Sequence, residues 1–450
     1  MTQVTAEHIE YQGIWWIPDK PEIKLSGTLR INPYENVVLE VVGYFEDITK
    51  VPILTQHDII LGKTVDGRDV TLSTCIETHR DWHFPGFSRS SFNIGTVFIG
   101  AHFPRKEDQE FKKLFVSYQN LDEWVNISGF QIEHKDELVI RYKSPEAIRV
   151  HPYEDWTISL EFQSQYPTIS LVQKEACVSQ RTYVGIASSE MKPFEEYLRM
   201  VLLIRDFISL GIGVSTYPIE IKGITEHGTE VRVFYPTLSA HSTAGTIPPF
   251  MLFTFKDIAD RWETLLRNWF KNARLLEPVY NLYFGTFHNP HLYLEHQFLS
   301  IVQALESYHR RVYGGKYVTD EEYNIIMNHL VEAIPPGTPH NLRDRLKTYL
   351  KYGNEFSLRK RLKEIVKDCG GFLEDYLGES DKFIDDTVNI RNYLTHYDGD
   401  PPADMIKVPE LYRLTLKLKL LVMVCLLKET GFETTDIDKI VKRAIHLYGL

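Results

Sequence analysis

The rhythm of apolar and polar positions changes twice along the chain. Between residues 10 and 175, short runs such as Val37–Val42, Ile94–Ile99, Leu138–Tyr142 and Trp156–Phe162 are separated by Pro33, Gly62, Asp66-Gly67 and Pro145. Alternating or briefly apolar runs between turn-formers predict strands, because successive side chains of an extended chain face opposite sides. Asp66-Gly67, between Ile59–Val65 and Val70–Leu72, predicts a hairpin turn. From Lys192 to Leu210 the period lengthens to that of a helix, with Phe194, Tyr197, Leu198, Val201, Leu202, Ile204, Phe207 and Ile208 on the apolar stripe. Pro193 suits the start of that helix, and Gly211 and Gly213 suit its end. Strands near Tyr217–Lys222 and Glu230–Tyr235 and a helix over Asp257–Ala273 follow.

Beyond Pro290 only helical spacing remains. The predicted helices are His291–Tyr313, Thr319–Ala333, Asn341–Tyr352, Leu358–Val366, Phe372–Tyr376, Phe383–Tyr397, Glu410–Glu429 and Asp436–Leu447. Gly314-Gly315, Pro335-Pro336-Gly337 and Pro401-Pro402 separate them. The expected fold class is therefore α+β multidomain. A β-rich N-terminal domain with inserted helices, residues 1–275, precedes an all-α helical bundle, residues 276–450. A chain of 450 residues suits two or three such domains.

Composition is that of a globular protein, 43% hydrophobic and 25% charged. The start, MTQVTAEHIEYQG, lacks the basic segment and apolar run of a signal peptide. The most apolar stretch, Leu420 to Leu427, is eight residues long, where a span needs about 20. No membrane partner is expected, and that stretch reads as part of a buried helix. Cys75, Cys177, Cys369 and Cys425 show no C-x-x-C spacing, so neither a disulfide framework nor a zinc ribbon is expected. Reduced thiols in a cytoplasmic protein fit this usage. The net charge of −11 argues against a generally nucleic-acid-binding surface, but Arg343 to Lys367 holds nine basic residues against three acidic ones. That run could contact RNA phosphates or form a solvated helix face.

The candidate chemistry lies in Arg391-Asn392-Tyr393-Leu394-Thr395-His396, at the end of a predicted helix that Gly399, Pro401 and Pro402 stop. RNA carries its own nucleophile, the 2′-hydroxyl. Cleavage needs a base for that proton and a cation for the phosphate. Histidine suits proton transfer near neutral pH. Arginine offers fixed charge and forked donors matched to phosphate oxygens. Asn392 could bond the phosphate or orient His396. No metal or other cofactor is required. At about 100° per residue Asn392 and His396 share a face, while Arg391 and His396 point roughly 140° apart. Either Arg391 reaches around a loosened last turn, or two copies of the helix complete the site across a two-fold axis. The bland alternatives are a surface pairing of Arg391 with Asp385, Asp386 or Asp398, and a helix-end role for His396.

Arg391-Asn392-x-x-x-His396, late in a bundle and before a helix break, resembles the R-x4–6-H motif of HEPN domains. The run from Gln297 to Arg310 is similar to the first helix of the ApeA-type HEPN branch. Upstream, Gly13-x-Trp15 with Pro18, Gly27-x-Leu29, Thr71-Leu72, Gly100-x-His102-Phe103, and Asn120-Leu121 with Trp124 resemble the ApeA N-terminal domain. The resemblance covers nearly the whole chain. It implies an anti-phage abortive-infection effector: a homodimeric or higher homo-oligomeric, metal-independent endoribonuclease. Arg391 and His396 then match the motif pair and Asn392 its polar position. It further implies that the N-terminal domain senses infection, through a phage-derived trigger, or restrains the nuclease. Transfer RNA and messenger RNA are both open as substrate. The rival expectation is a non-catalytic HEPN module that binds a nucleotide, a phage ligand or a partner protein.

Three further groups carry side chains able to do chemistry. Glu306 and His309, three apart on one helix, could line the cleft with Glu306 holding Arg391, or could form a structural pair. His79, Asp81, His83 and His102, like His288, His291 and His296, lack a recognisable metal-ligand signature, and no metal site is expected from them.

Overall fold

The computed structural model describes residues 9–32, 36–46, 54–83, 85–134, 136–170, 175–235, 245–396 and 407–449. The expected turn at Pro33 and the helix-stopping residues Gly399, Pro401 and Pro402 lie outside the described residues. The chain forms two compact units, Met1–Arg267 and Asn268–Leu450. Among the described residues, no helix is long and apolar enough to cross a membrane.

The first unit is built on antiparallel strands. β1 (Ile9–Trp16), β2 (Leu25–Ile31), β3 (Val37–Val42), β4 (Gln56–Thr64), β5 (Asp69–Asp81) and β6 (Arg89–Ile99) run in the spatial order β6-β3-β2-β1-β4-β5. β5 also pairs with β6, so these six strands close into a barrel. The remaining strands are β7 (Glu110–Tyr118), β8 (Phe130–His134), β9 (Leu138–Tyr142), β10 (Ile148–Tyr153), β11 (Trp156–Ser170), β12 (Glu175–Pro193), β13 (Pro218–Ile224) and β14 (Glu230–Phe234). The sheet continues from β6 through β14, β13, β7, β12, β11 and β10, and β8–β9 form a separate hairpin.

Alternation decides what fills the barrel. Leu29, Leu39, Ile60, Leu72, Phe92 and Val97 turn inward with Trp15. Trp15 lies opposite Gly62, and a Cβ at Gly62 would strike its ring. Gly62 is thus not the strand break that its residue type suggested. It sits inside β4 and makes room for an indole. Asp66-Gly67 does connect β4 to β5, through a four-residue connection in which Gly67 alone takes positive φ, 85°.

Helices α1 (Leu121–Val125), α2 (Phe194–Ile212), α3 (Phe255–Ile258) and α4 (Trp262–Leu275) are interleaved. α2 begins after Pro193 and ends at Gly213, whose φ of 85° allows its N–H to close on Ser209 O. Gly211, expected as part of that stop, lies within α2 and lets Trp124 and Phe253 approach the backbone. The helix expected over Asp257–Ala273 is interrupted between α3 and α4. There Phe255 and Trp262 turn into a cluster with Trp124 and Phe207.

The second unit is helical: α5 (Glu277–His288), α6 (Leu294–Val312), α7 (Asp320–Glu332), α8 (His340–Lys351), α9 (Leu358–Cys369), α10 (Glu374–Leu377), α11 (Ser380–His396), α12 (Val408–Thr430) and α13 (Thr434–Tyr448). The short helix expected at Phe372–Tyr376 is a 3-10 turn, Gly370–Leu373, running into α10. α12 carries the apolar run Leu420–Leu427, every residue of it buried. α6 and α9 pack against it, which is why its apolar positions surround the helix instead of forming a stripe.

Candidate nuclease site

α11 owes its position to one apolar stripe. Phe383, Ile384, Thr387, Ile390 and Leu394 are buried against α9 and α6. α9 and α11 are tied along their length, Arg359 to Asp385 and Lys363 to Asp381 at 3.4 Å, in antiparallel register. In the last turn of α11, Leu394 continues this stripe and the motif residues flank it. Arg391 is half-buried there, and Asn392, Thr395 and His396 are exposed.

The helix is intact through His396. Asn392 and His396 therefore share a face, and Arg391 points away from that face at its base. The Arg391 guanidinium nevertheless turns toward it: Nη1 donates to Asn392 Oδ1 at 3.0 Å. The Asn392 carbonyl oxygen serves Arg391, while its amide nitrogen, the group that would donate to a phosphate, takes no part in that bond. Thr395 Oγ1 donates to Arg391 O at 2.7 Å, which spends the hydroxyl on the helix backbone. Of the acidic residues that could pair with Arg391 at the surface, Asp385 binds Arg359, and Asp386 faces Lys382 and Lys417. Asp398 lies outside the described residues. Burial raises the Asp386 carboxyl above its ordinary range.

Glu306 does not hold Arg391. Its carboxylate accepts from Arg310 at 3.0 Å, one turn along α6. His309 belongs to an internal network instead of the cleft. Its Nε2 meets Glu364 at 2.8 Å, its Nδ1 meets Arg361 Nη1 at 3.0 Å, and Tyr313 stacks on the ring. Arg361, read from the sequence as part of a basic RNA-facing run, is buried. It donates to Phe356 O and Gly314 O at 3.0 and 2.8 Å. Burial lowers the His309 pKa below its usual value, and Arg361 adds to the effect. Other members of the basic run are also engaged: Arg359 with Asp385, Lys360 with Glu364, and Lys363 with Asp381. The run divides between structural pairs and free surface charge, a division that linear counting hides.

Two features escaped the sequence. Lys419 on α12 donates to Gln297 Oε1 at 2.7 Å, and burial lowers its pKa to about 8. The only hint was a lysine just before the apolar run. Cys369 and Cys425, far apart in the sequence, bring their Sγ atoms to 3.7 Å in the bundle core. Both are free thiols, and burial pushes the Cys425 thiol well above its ordinary range.

The histidine groups are dispersed. His79 Nε2 lies 2.6 Å from Asp81, His102 Nε2 lies 2.8 Å from Gly62 O, and His288 stacks on Phe284. Among the described residues, no three His, Cys, Asp or Glu side chains converge as metal ligands. The chemistry available at the end of α11 is thus a cation with forked donors, an amide that orients it, and an imidazole one turn away. This set fits an anionic phosphodiester.

Comparison with known protein families gives two matches. The model for ApeA N-terminal domain 1 matches residues 10–269, and the model for Apea-like HEPN matches residues 299–436. No curated protein matches the chain, and no solved structure matches it.

Proposed function

Because this chain belongs to the ApeA-like HEPN proteins, whose HEPN domain supports an anti-phage effector, we propose that it acts by cutting RNA. The observation that carries the reading is the Arg391–Asn392 hydrogen bond beside an exposed His396 at the end of α11. His396 takes the proton from a ribose 2′-hydroxyl. The freed oxygen attacks the adjacent phosphorus, and the bond to the 5′-oxygen breaks. That oxygen leaves with a proton from the imidazolium or from water. The products are a 2′,3′-cyclic phosphate and a 5′-hydroxyl. Arg391 neutralises the charge that gathers on the non-bridging oxygens, which a preorganised guanidinium does without reorganising solvent. Asn392 fixes the guanidinium and so acts as a positioning residue.

Arg391 and His396 leave α11 in different directions, and a homodimer through the HEPN domain answers this. Each phosphate would meet one helix's arginine and the other's histidine. Residues 276–450 carry the nuclease in this reading. Residues 1–275 sense a phage-derived trigger or restrain the nuclease, and the substrate is transfer RNA or messenger RNA. The test is sequencing of RNA ends from infected cells producing wild type, His396→Ala or Arg391→Ala. Loss of cleavage and of phage protection in both variants, with the fold retained, is the expected result. Full protection by either variant overturns the reading. Phage protection by the wild type with no new RNA ends assigns the domain to the non-catalytic class.

A further inference from the structure

The two helices between α6 and α9 are unlike the rest of their unit. α7 and α8 contain no buried residue, whereas α6 and α9 on either side each bury an apolar face. Yet their apolar residues keep helical spacing. Ile326 and Leu330 on α7 are 45% and 46% exposed, and Leu342, Leu346 and Tyr349 on α8 are 48%, 37% and 61% exposed. In a solitary helix pair that apolar surface gains nothing from folding.

The pair is nonetheless held. At its base Asn354 Oδ1 accepts from the N–H groups of Tyr317 and Val318 at 3.1 and 3.0 Å, and Asn354 Nδ2 donates to Val318 O at 2.9 Å. Phe356 N–H donates to Gly315 O at 2.9 Å, and Tyr323 Oη donates from α7 to Leu350 O of α8. α7 starts with a complete capping box between Thr319 and Glu322. This is a formed arm with an uncovered face.

Its charges are sorted by helix. α7 holds Asp320, Glu321, Glu322 and Glu332 and no lysine or arginine. α8 holds Arg343, Arg345, Lys347 and Lys351 against Asp344. Among the described residues, no ion pair joins α7 to α8. An acidic helix beside a basic helix is complementary to a copy of itself turned by a two-fold axis, because every α7–α8 contact then occurs twice. Two such arms make four helices, an arrangement that encloses a core.

We propose that the α7–α8 arm is a self-association surface, docking onto the α7–α8 arm of a second copy with acidic helix against basic helix. RNA is the poorer occupant. Its phosphates would face the acidic flank of α7, and its sugars and bases would not cover Ile326, Leu330, Leu342 and Leu346. The proposal does not depend on catalysis at α11.

The test uses full-length chains in sedimentation-velocity titrations. One variant makes both helices acidic, Arg343→Glu with Arg345→Glu. The other makes both basic, Asp320→Lys with Glu321→Lys and Glu332→Lys, which leaves three lysines against Glu322 on α7. Each alone is expected to raise at least tenfold the Kd of the arm's own association step, which is separate from the pairing of α11 proposed above, since like charges then face each other. An equimolar mixture is expected to return to within about threefold of wild type, because each mixed pair again sets acid against base. Recovery in the mixture also shows that both variants are folded. A rise below tenfold in either variant, or no recovery on mixing, overturns the proposal. So does a variant that loses transfer-RNA binding in a filter assay while its self-association is unchanged, which would give the surface to RNA. None of these outcomes bears on Arg391 or His396, whose own variants test the nuclease.

Discussion

Arg391 Nη1 donates to Asn392 Oδ1 at 3.0 Å, so a side chain that leaves the helix in one direction is drawn toward the face that carries His396. If this bond positions the guanidinium for a phosphate, removing it costs cleavage rate more than RNA affinity. Asn392→Ala should lower the saturated cleavage rate about tenfold, roughly 1.4 kcal/mol of transition-state stabilisation, with KM changed much less. Asn392→Asp keeps an acceptor for Arg391 and should recover most of the rate. Arg391→Lys keeps the charge and loses the fork, and should fall by about 10². Single-turnover cleavage of a labelled RNA measures all three. Equal loss in Asn392→Ala and Asn392→Asp would show that Asn392 does not act through Arg391.

A second prediction concerns pH and the bundle interior. His309 is held neutral between Arg361 and Glu364, with burial lowering its pKa below the ordinary 6.5. The unfolded chain therefore binds the proton more readily than the folded one. The stability that neutral His309 contributes is fully present above the ordinary value, and it is lost as pH falls through the folded value. Melting the chain at about pH 7.5 and about pH 5.5 should show a drop in the helical transition that His309→Gln lacks. Parallel pH dependence in wild type and variant would rule His309 out as the source.

The pieces that made the N-terminal half recognisable prove to be packing positions. Gly13 pairs with Gly27 across β1 and β2, and Trp15 of the same motif fills the space left by Gly62. Such glycines announce close approach without naming what approaches, so the strands were legible and the barrel closure was not. β5 pairing with β6 is a long-range event with no local signature. In the helical half, periodicity located α6, α9, α11 and α12 within a few residues, because each has a buried stripe or a buried core. It also located α7 and α8, but it could not tell that their apolar positions face outward. At the site, residue type and spacing placed Arg391, Asn392 and His396 on one helix end. Which partner Asn392 serves depends on rotamers, which spacing along the chain does not fix.

The Thr71-Leu72 and Gly100-x-His102-Phe103 pieces meet in space and yield a third prediction. Thr71 Oγ1 donates to Ala101 O at 2.9 Å and accepts from Phe103 N–H at 2.8 Å. Thr71 is fully buried, and Phe103 is 6% exposed. Thr71→Val preserves shape and removes both bonds, leaving a buried N–H and a carbonyl without that partner. The cost should be about 2 kcal/mol, within the range for buried unsatisfied groups. Urea unfolding of the barrel's tryptophan signal would measure it. A change below about 0.5 kcal/mol would mean that water or backbone movement replaces the hydroxyl.

Lys419 supports the last prediction. It sits among apolar residues of α12 with Gln297 Oε1 at 2.7 Å, and burial lowers its pKa to about 8. Among the described residues no carboxylate offsets that burial, so the charged form is less stable in the folded bundle than in the unfolded chain. For a lysine lowered in this way the cost is present in full below the folded value. It fades as pH rises from about 8 toward the ordinary 10.5, where both states become neutral. Lys419→Met retains the length of the chain and removes the charge. It should raise the melting temperature at about pH 7 by a few degrees, a gain of roughly 1 kcal/mol in a domain of this size. The gain should shrink as pH approaches about 10. Thermal scans of wild type and Lys419→Met across that range would test the sign. If the variant is instead less stable at neutral pH, the bond to Gln297 outweighs the burial of the charge.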